Sequence, residues 1–575
     1  MNTLLGPPLV RETYVISLPC SQKLWISHPS RCQMSRLFLV VLAMVLGCEQ
    51  PSAENHEAIS TSSPEAPISQ DSEVAEDNDY SALPAGAHLR NSQETWHANY
   101  LQGKKIGYRQ TAVREFELDG KHFVQTDILE KQSLLRFGEK VTLVVRAGQL
   151  AKASGELVQI RYELPLGSEV SRVQGKISEG NLTYWSEGQP EKPPVQIPFP
   201  AETLGFSGLE ESLAKQPMSV GEHRTLKMLQ LPPLPLVGTV ELEAKTEEPT
   251  PLPAGEVRLL RVDEKIELPG GSSILCHFWI DKTGQILKYS IPPVQQETFL
   301  VTRAQALDER EAFSVDLGSD MLVRLDKPLD NPHQKLLISY RVRFNKDQPE
   351  MHLQSLLSAG LSQRVSPINS SEALVEVSVV RPDFPEALPE KQPKPTAADI
   401  KPSSLVESDA AEIKALAQEA LSQKNWLHQG FAPGSSWSAA EIIEKFVHGY
   451  LTQKNYSQAF SSAAEVARTR EGDCTEHAVL VAALCRANGI PARVTYGLVY
   501  VASEQAFAFH MWNEVWINDR WVPIDATLAL RGIGAGHIKF GHSNLSDLSA
   551  LLELLPVMQS IGRLEIVAEK VEAQP

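Results

Sequence analysis

The segment Arg470-Glu471-Gly472-Asp473-Cys474-Thr475-Glu476-His477 leads into a run, Ala478 to Ala487, that is apolar almost all round. A helix with no polar face has to be buried in a domain core. Asp473 is a favourable N-cap, and Glu476 three residues on completes a capping-box pattern. Asn488-Gly489 supplies the stop, and Pro491 prevents continuation. Cys474 therefore falls on the first turn, among unpaired backbone N–H groups at the positive end of the helix dipole. That position favours thiolate over thiol and lowers the pKa from about 8.5. The same N–H groups can hold an oxyanion on a bound carbonyl. Cys485 lies in the middle of the same helix with mostly apolar neighbours and reads as a small core residue. The two thiols cannot pair within one straight helix, because eleven residues at a rise of about 1.5 Å set them roughly 16 Å apart.

His510 and Asp525 follow in two consecutive strand-like runs, Phe509 to Trp516 and Arg520 to Thr527. Asn518-Asp519 between them is a two-residue hairpin turn in the making. If Ile517 pairs with Arg520, the same register pairs Trp512 with Asp525 and His510 with Thr527. His510 and Asp525 are then diagonal neighbours on one face, with side chains in reach of one another. An aspartate there takes the proton of one ring nitrogen and turns the other toward a thiol. A loop one residue longer would flip the parity and separate them. Trp512 and Glu514 share the face of His510, the former to pack or shape a cleft, the latter to form an ion pair, with Arg493 as the candidate partner.

The blocks Arg470 to Cys474, Leu484 to Val494, His510 to Val515 and Trp521 to Thr527 stand in an order and spacing that resemble the transglutaminase-like superfamily in its bacterial core-domain form. The strong resemblance runs from Trp437 to about Gly541. It implies a papain-like α+β core with Cys474 as nucleophile, His510 as general base and Asp525 as orienting partner. It also implies acyl transfer: a thiolate attacks an amide, an amine or ammonia leaves, and the acyl-enzyme passes to water or to an amine. Family members commonly add an upstream side chain to the oxyanion hole, for which Trp437 and Tyr456 are the candidates. Proline often follows the family's aspartate, where this chain has Ala526; the departure concerns the turn and leaves the triad intact. Some animal transglutaminases need calcium. No acidic loop with calcium-ligand spacing lies near this site, so neither a metal nor a cofactor is expected.

Ahead of this core the chain reads as several domains. Met34-Ser35-Arg36 is followed by a short apolar run to Gly47-Cys48, the pattern of an export signal. Val45-Leu46-Gly47-Cys48 resembles a bacterial lipoprotein signal, which would lipidate Cys48 and attach the protein to a membrane. An uncleaved anchor and an ordinary cleaved signal are the alternatives, and Met34 is the expected true start. We assign 1–48 to the signal region and 49–90, rich in Ser, Glu, Pro and Ala, to a disordered tether. A mostly antiparallel β-rich domain is expected over 91–310, a small β domain over 311–385, a linker over 386–408 and the transglutaminase-like catalytic domain over 409–575. Asp119-Gly120 and Pro269-Gly270-Gly271 are expected turns, and Cys276 a core residue.

The net charge of −17 argues against nucleic acid as a partner. The expected function is that of an exported, envelope-anchored cysteine acyl-transfer enzyme on the periplasmic side, with a peptide or protein substrate. Hydrolysis, as peptidase or amidase, and protein cross-linking both remain open, with a lean toward hydrolysis. The alternative is a catalytically silent binding or scaffolding protein of the cell envelope. Oligomeric state is not legible.

Overall fold

Alternating apolar and polar residues dictate the N-terminal region. In the strand Leu157–Leu166, Ile160, Tyr162 and Leu164 are buried while Arg161 and Glu163 between them stay partly exposed. Such a pattern makes a sheet with one covered face. The computed structural model describes residues 82–572, apart from 137, 167–168, 188–192, 231–234, 268–272, 310–315, 317–320, 346–351, 382–391, 423–435, 454–460, 547–552, 555–556 and 558–559. Cys48, Tyr456 and the Pro269-Gly270-Gly271 turn lie outside the described residues.

Between His88 and Val301 the chain forms one 14-stranded antiparallel sheet. Strands run up and down in sequence order from both ends of this span, and the two series meet where His88–Leu101 pairs with Gln296–Val301. The first of these strands begins inside the stretch read from composition as tether. Gln102-Gly103, Asp119-Gly120 and Glu179-Gly180 each place two successive residues at positive φ. This is the tight hairpin turn whose twist matches that of the flanking strands. One hairpin of this sheet, formed by Lys121–Arg136 and Glu139–Lys152, has Arg136 and Glu139 as the last pair before its turn. Cys276 is buried in the sheet's core.

A smaller sheet orders the strands Gln363–Asn369, Glu372–Ser378, Leu337–Phe344 and Leu564–Glu572. Its fourth strand thus comes from nearly two hundred residues further along the chain. The short strand Val323–Arg324 pairs with Ala506 and Phe507 at the edge of a separate five-stranded sheet. Ile338, Tyr340 and Val342 are completely buried, and a central strand of that kind needs a partner on each edge. The linker is packed as well: Trp521 donates its backbone N–H to Gln392 Oε1 at 2.6 Å and its indole N–H to the Pro393 carbonyl at 2.9 Å.

In the C-terminal core, the helices Ala411–Ser422, Ser436–Tyr450 and Ala463–Thr469 surround the helix Cys474–Ala487. That helix lies against the antiparallel strands Ala492–Val501 and Ala506–Ile517. Arg520–Ile524 pairs with the second of these, and His537–Ser543 with the first. The architecture is therefore a strand-rich, largely antiparallel N-terminal region followed by an α+β core. Leu564 and Ile566 are buried in the small sheet. Deleting residues from Leu564 onward is expected to cost at least about 3 kcal/mol, from two side chains worth roughly 1.5 kcal/mol or more each. Urea unfolding of the full and truncated chains checks this.

Candidate active site

The helix that begins at Cys474 is capped as its sequence requires. Asp473 accepts the Thr475 backbone N–H at 2.8 Å, and Glu476 returns the favour by accepting the Asp473 N–H at 3.0 Å. Gly472 has φ +153, and a Cβ there would sit 2.3 Å from Cβ of Glu476. Only glycine allows the chain to enter this cap so closely. Burial, then the negative charge of Asp473, push the Glu476 carboxyl up to about 8. Burial also pushes the Cys485 thiol up to about 12, as suits an inert core position. Cys474 is completely buried and not disulfide-bonded.

The turn between the two strands falls where the residues place it. Asn518 and Asp519 both adopt positive φ, and Ile517 pairs with Arg520. The register continues through Trp516 with Trp521 to Asn513 with Ile524. The parity that this fixes brings His510 Nε2 to 2.9 Å from Asp525 Oδ2. His510 stacks on Trp512, ring centres 5.9 Å apart. Asn513 points the other way and donates to the Ala478 carbonyl at 2.8 Å, tying the His510 strand to the first turns of the Cys474 helix.

A second histidine joins the pair. His537 Nε2 lies 3.0 Å from the same Asp525 oxygen. An ionised carboxylate can only accept, so both imidazoles carry their proton on Nε2, and Nδ1 is the basic nitrogen of each. Asp525 Oδ1 accepts the Thr527 N–H at 2.8 Å. Burial alone would raise the Asp525 carboxyl, but His510 and His537 outweigh it and hold it well below the ordinary range. The ligand-capable atoms of His510, Asp525 and His537 lie within 4.8 Å of one another, a grouping that the two hydrogen bonds to one oxygen account for. No local pattern marks His537 in the sequence. The nearest signal is Gly497, opposite His510 in register and at a register shift. A Cβ on Gly497 would come 2.1 Å from the Ile538 carbonyl oxygen, and a glycine inside a strand marks such a close approach.

Two further groups complete the surroundings. Arg493 Nε and Nη2 donate to Glu514 Oε2 at 2.8 and 2.6 Å, and Lys539 Nζ donates to Oε1. Lys539 and Arg493 together overcome the effect of burial and hold the Glu514 carboxyl at about 2. Glu444, from the helix Ser436–Tyr450, accepts the backbone N–H groups of Asp525 and Gly532, each at 3.2 Å. Trp437 stands on the first turn of that helix, and its indole N–H is buried without a hydrogen-bond partner among the described residues.

A buried helix that presents a cysteine at its N-terminus, laid on an antiparallel sheet bearing a His–Asp pair, defines a papain-like α+β core. Residues 429–526 match the Transglutaminase-like superfamily, a span that ends one residue past Asp525. This part of the chain is a transglutaminase-like domain. Solved structures with similarity include a candidate cysteine protease from Cytophaga hutchinsonii, 18% identical, with 42% of this chain and 86% of that one covered and a TM-score of 0.23. A β-barrel-like protein from Brucella abortus is 10% identical over 37% of this chain and 98% of its own, TM-score 0.26. A TGase is 15% identical over 29% of this chain and 44% of its own, TM-score 0.16. No protein with a curated description matches the chain.

Burial pushes the Glu444 carboxyl up to about 8, with the charges of Asp525 and Glu441 adding to it. It is neutral in the folded protein at pH 7 and ionised in the unfolded chain, where its pKa is about 4.3. The unfolded state therefore releases its proton first, and stability falls as pH rises from about 4.5 to about 8, by at most about 1.4 kcal/mol per pH unit. Glu444→Gln keeps the acceptor oxygen and is expected to flatten this fall, so that its advantage over wild type grows with pH. Urea unfolding at pH 5, 6.5 and 8 checks it; parallel profiles would refute a neutral Glu444.

Proposed function

We propose that the chain is an exported cysteine acyl-transfer enzyme that acts on peptide amide bonds through Cys474, His510 and Asp525. The observation that supports this most directly is the His510 Nε2 to Asp525 Oδ2 contact of 2.9 Å, in a domain whose central helix begins with Cys474. Asp525 fixes the ring in the tautomer that leaves Nδ1 as the base. In the proposed cycle Nδ1 takes the thiol proton, and the sulfur attacks the amide carbon. The resulting oxyanion is held by N–H groups at the helix start and by the indole N–H of Trp437. Tyr456 keeps its place as a second candidate for that role. His510 then returns the proton to the leaving amine, leaving a thioester on Cys474. Water, activated by the same imidazole, releases the acid; an amine in its place gives a cross-link. Hydrolysis is the preferred outcome, since cross-linking demands a second, dehydrated channel for the amine.

Export with lipid attachment through Cys48, on the periplasmic side of a bacterial envelope, belongs to the same proposal. It rests on the basic start, the apolar run and the small residue before Cys48. The second reading, a silent binding or scaffolding protein, is favoured by one observation. Cys474 and Asp525 have no exposed surface and His510 only 3%, so substrate has to open a way in.

The alkylation rate of Cys474 against pH separates the two readings, with the equally buried Cys485 as internal control. Fast labelling well below pH 8, lost in His510→Ala, is expected; a rate equal to that of Cys485 sinks the enzyme reading. On any peptide amide that is turned over, Cys474→Ala is expected to abolish activity and His510→Ala to slow acylation roughly 10²–10⁴-fold. Asp525→Ala is expected to be milder. Product analysis with and without an added amine decides between hydrolysis and cross-linking.

A further inference from the structure

The helix that starts at Cys474 is held by a residue that precedes its cap by 337 positions in the chain. Arg136 is the last residue of the strand Lys121–Arg136, at the tip of a hairpin of the 14-stranded sheet. Hairpin tips normally face water, yet the Arg136 side chain is only 2% exposed. Its Nη2 donates to Oδ2 of Asp473, the cap of the Cys474 helix, whose own side chain is 1% exposed. The hairpin tip is also fixed from outside, since the Gly138 N–H donates to Asp316 Oδ2 at 2.8 Å. Asp473 thus divides its two oxygens: Oδ1 serves the helix through Thr475, and Oδ2 serves Arg136.

The chemistry of the cap explains why a guanidinium is needed there. A carboxylate is a strong N-cap, but it is also a negative charge one residue from the sulfur, and like charge opposes a thiolate. Arg136 pairs with that charge at the cap, so that the carboxylate opposes the backbone N–H groups at the helix start less. Without it the same carboxylate would be an unpaired buried ion, which a protein interior does not tolerate. The other ionisable groups that face this end are Glu476 and His477 from the same helix, His448 and Glu444 from Ser436–Tyr450, and the pair of His510 with Asp525.

We propose that Arg136 is a positioning residue of the Cys474 site: the N-terminal sheet neutralises the Asp473 cap and so keeps the helix start favourable to a thiolate. The proposal rests on the reading of Cys474 as the nucleophile. It implies that the transglutaminase-like domain is an incomplete site without the sheet.

The test follows the pH midpoint of Cys474 alkylation by iodoacetamide in the full chain, with Cys485 as control. Arg136→Gln leaves an uncompensated carboxylate and is expected to move the midpoint up by about one pH unit. Asp473→Asn, which keeps a good N-cap, removes the carboxylate charge beside the sulfur while Arg136 keeps its own, and is expected to move it down by a similar amount. The double variant is expected to return near the wild-type value, and Arg136→Lys to recover most of the shift. Opposite signs with cancellation are what charge balance produces and what loss of packing does not. If Arg136→Gln fails to fold, Asp473→Asn and the double variant carry the test: no downward shift in the first, or no return in the second, overturns the proposal. A wild type that labels fast but whose midpoint ignores these variants overturns the proposal alone. A wild-type Cys474 no faster than Cys485 overturns the enzyme reading and this inference with it.

Discussion

A single buried carboxylate, Asp525, organises the centre of this molecule. It has no exposed surface, and an ion removed from water has to be surrounded by donors. The surroundings are built to that requirement. Two imidazoles share one of its oxygens, the backbone amides of Thr527 and Leu528 share the other, and the neighbouring acid, Glu444, gives up its own charge. The hairpin turn at Asn518-Asp519 is valuable chiefly because it sets the parity that puts Asp525 on the face of His510. Gly497 is valuable because its bare backbone lets the neighbouring strand close up at the level of His510. Much of the core's local chemistry thus follows from keeping one negative charge satisfied.

Features with a local cause were legible in the sequence. The helix over Cys474 to Ala487 declares itself by its apolar run, its capping box and the Asn-Gly stop. The strand pair declares itself by alternation and turn chemistry, and the register deduced from Ile517 opposite Arg520 is the register found. The pairing of Arg493 with Glu514 was within reach for the same reason, since both lie on strands whose faces can be counted. The contacts that local pattern does not announce have a non-local cause. His537 reaches Asp525 from a strand beyond an irregular glycine-rich loop, so counting along the hairpin never arrives at it. Lys539, the second cation on Glu514, sits on that same strand. Arg136 is 337 residues from its partner, and nothing in its own hairpin distinguishes it from a solvated basic residue at a turn.

The two histidines on Asp525 are not equivalent in their company. Both pack on Trp512, His510 stacked and His537 edge-on, but His537 also packs edge-on against His333, with ring centres 5.3 Å apart. His333 comes from the segment between the two larger parts of the chain, and Nε2 of its ring lies 2.9 Å from the Tyr500 carbonyl. Burial, then the neighbouring His537, hold His333 down at about 4. A neutral second layer of this kind supports the carboxylate without competing for it.

The strand Leu564–Glu572 closes a sheet whose other members were made some two hundred residues earlier. A chain that emerges from its N-terminal end therefore cannot finish the small sheet until nearly all of it has been delivered. Pairings this distant are the slow steps of folding. The Cys474 helix and its Asp525 hairpin belong to a core whose edge strand, Val323–Arg324, packs against Leu564–Glu572. Assembly is thereby ordered in time: the small sheet that packs beside the core is completed only when the last strand docks.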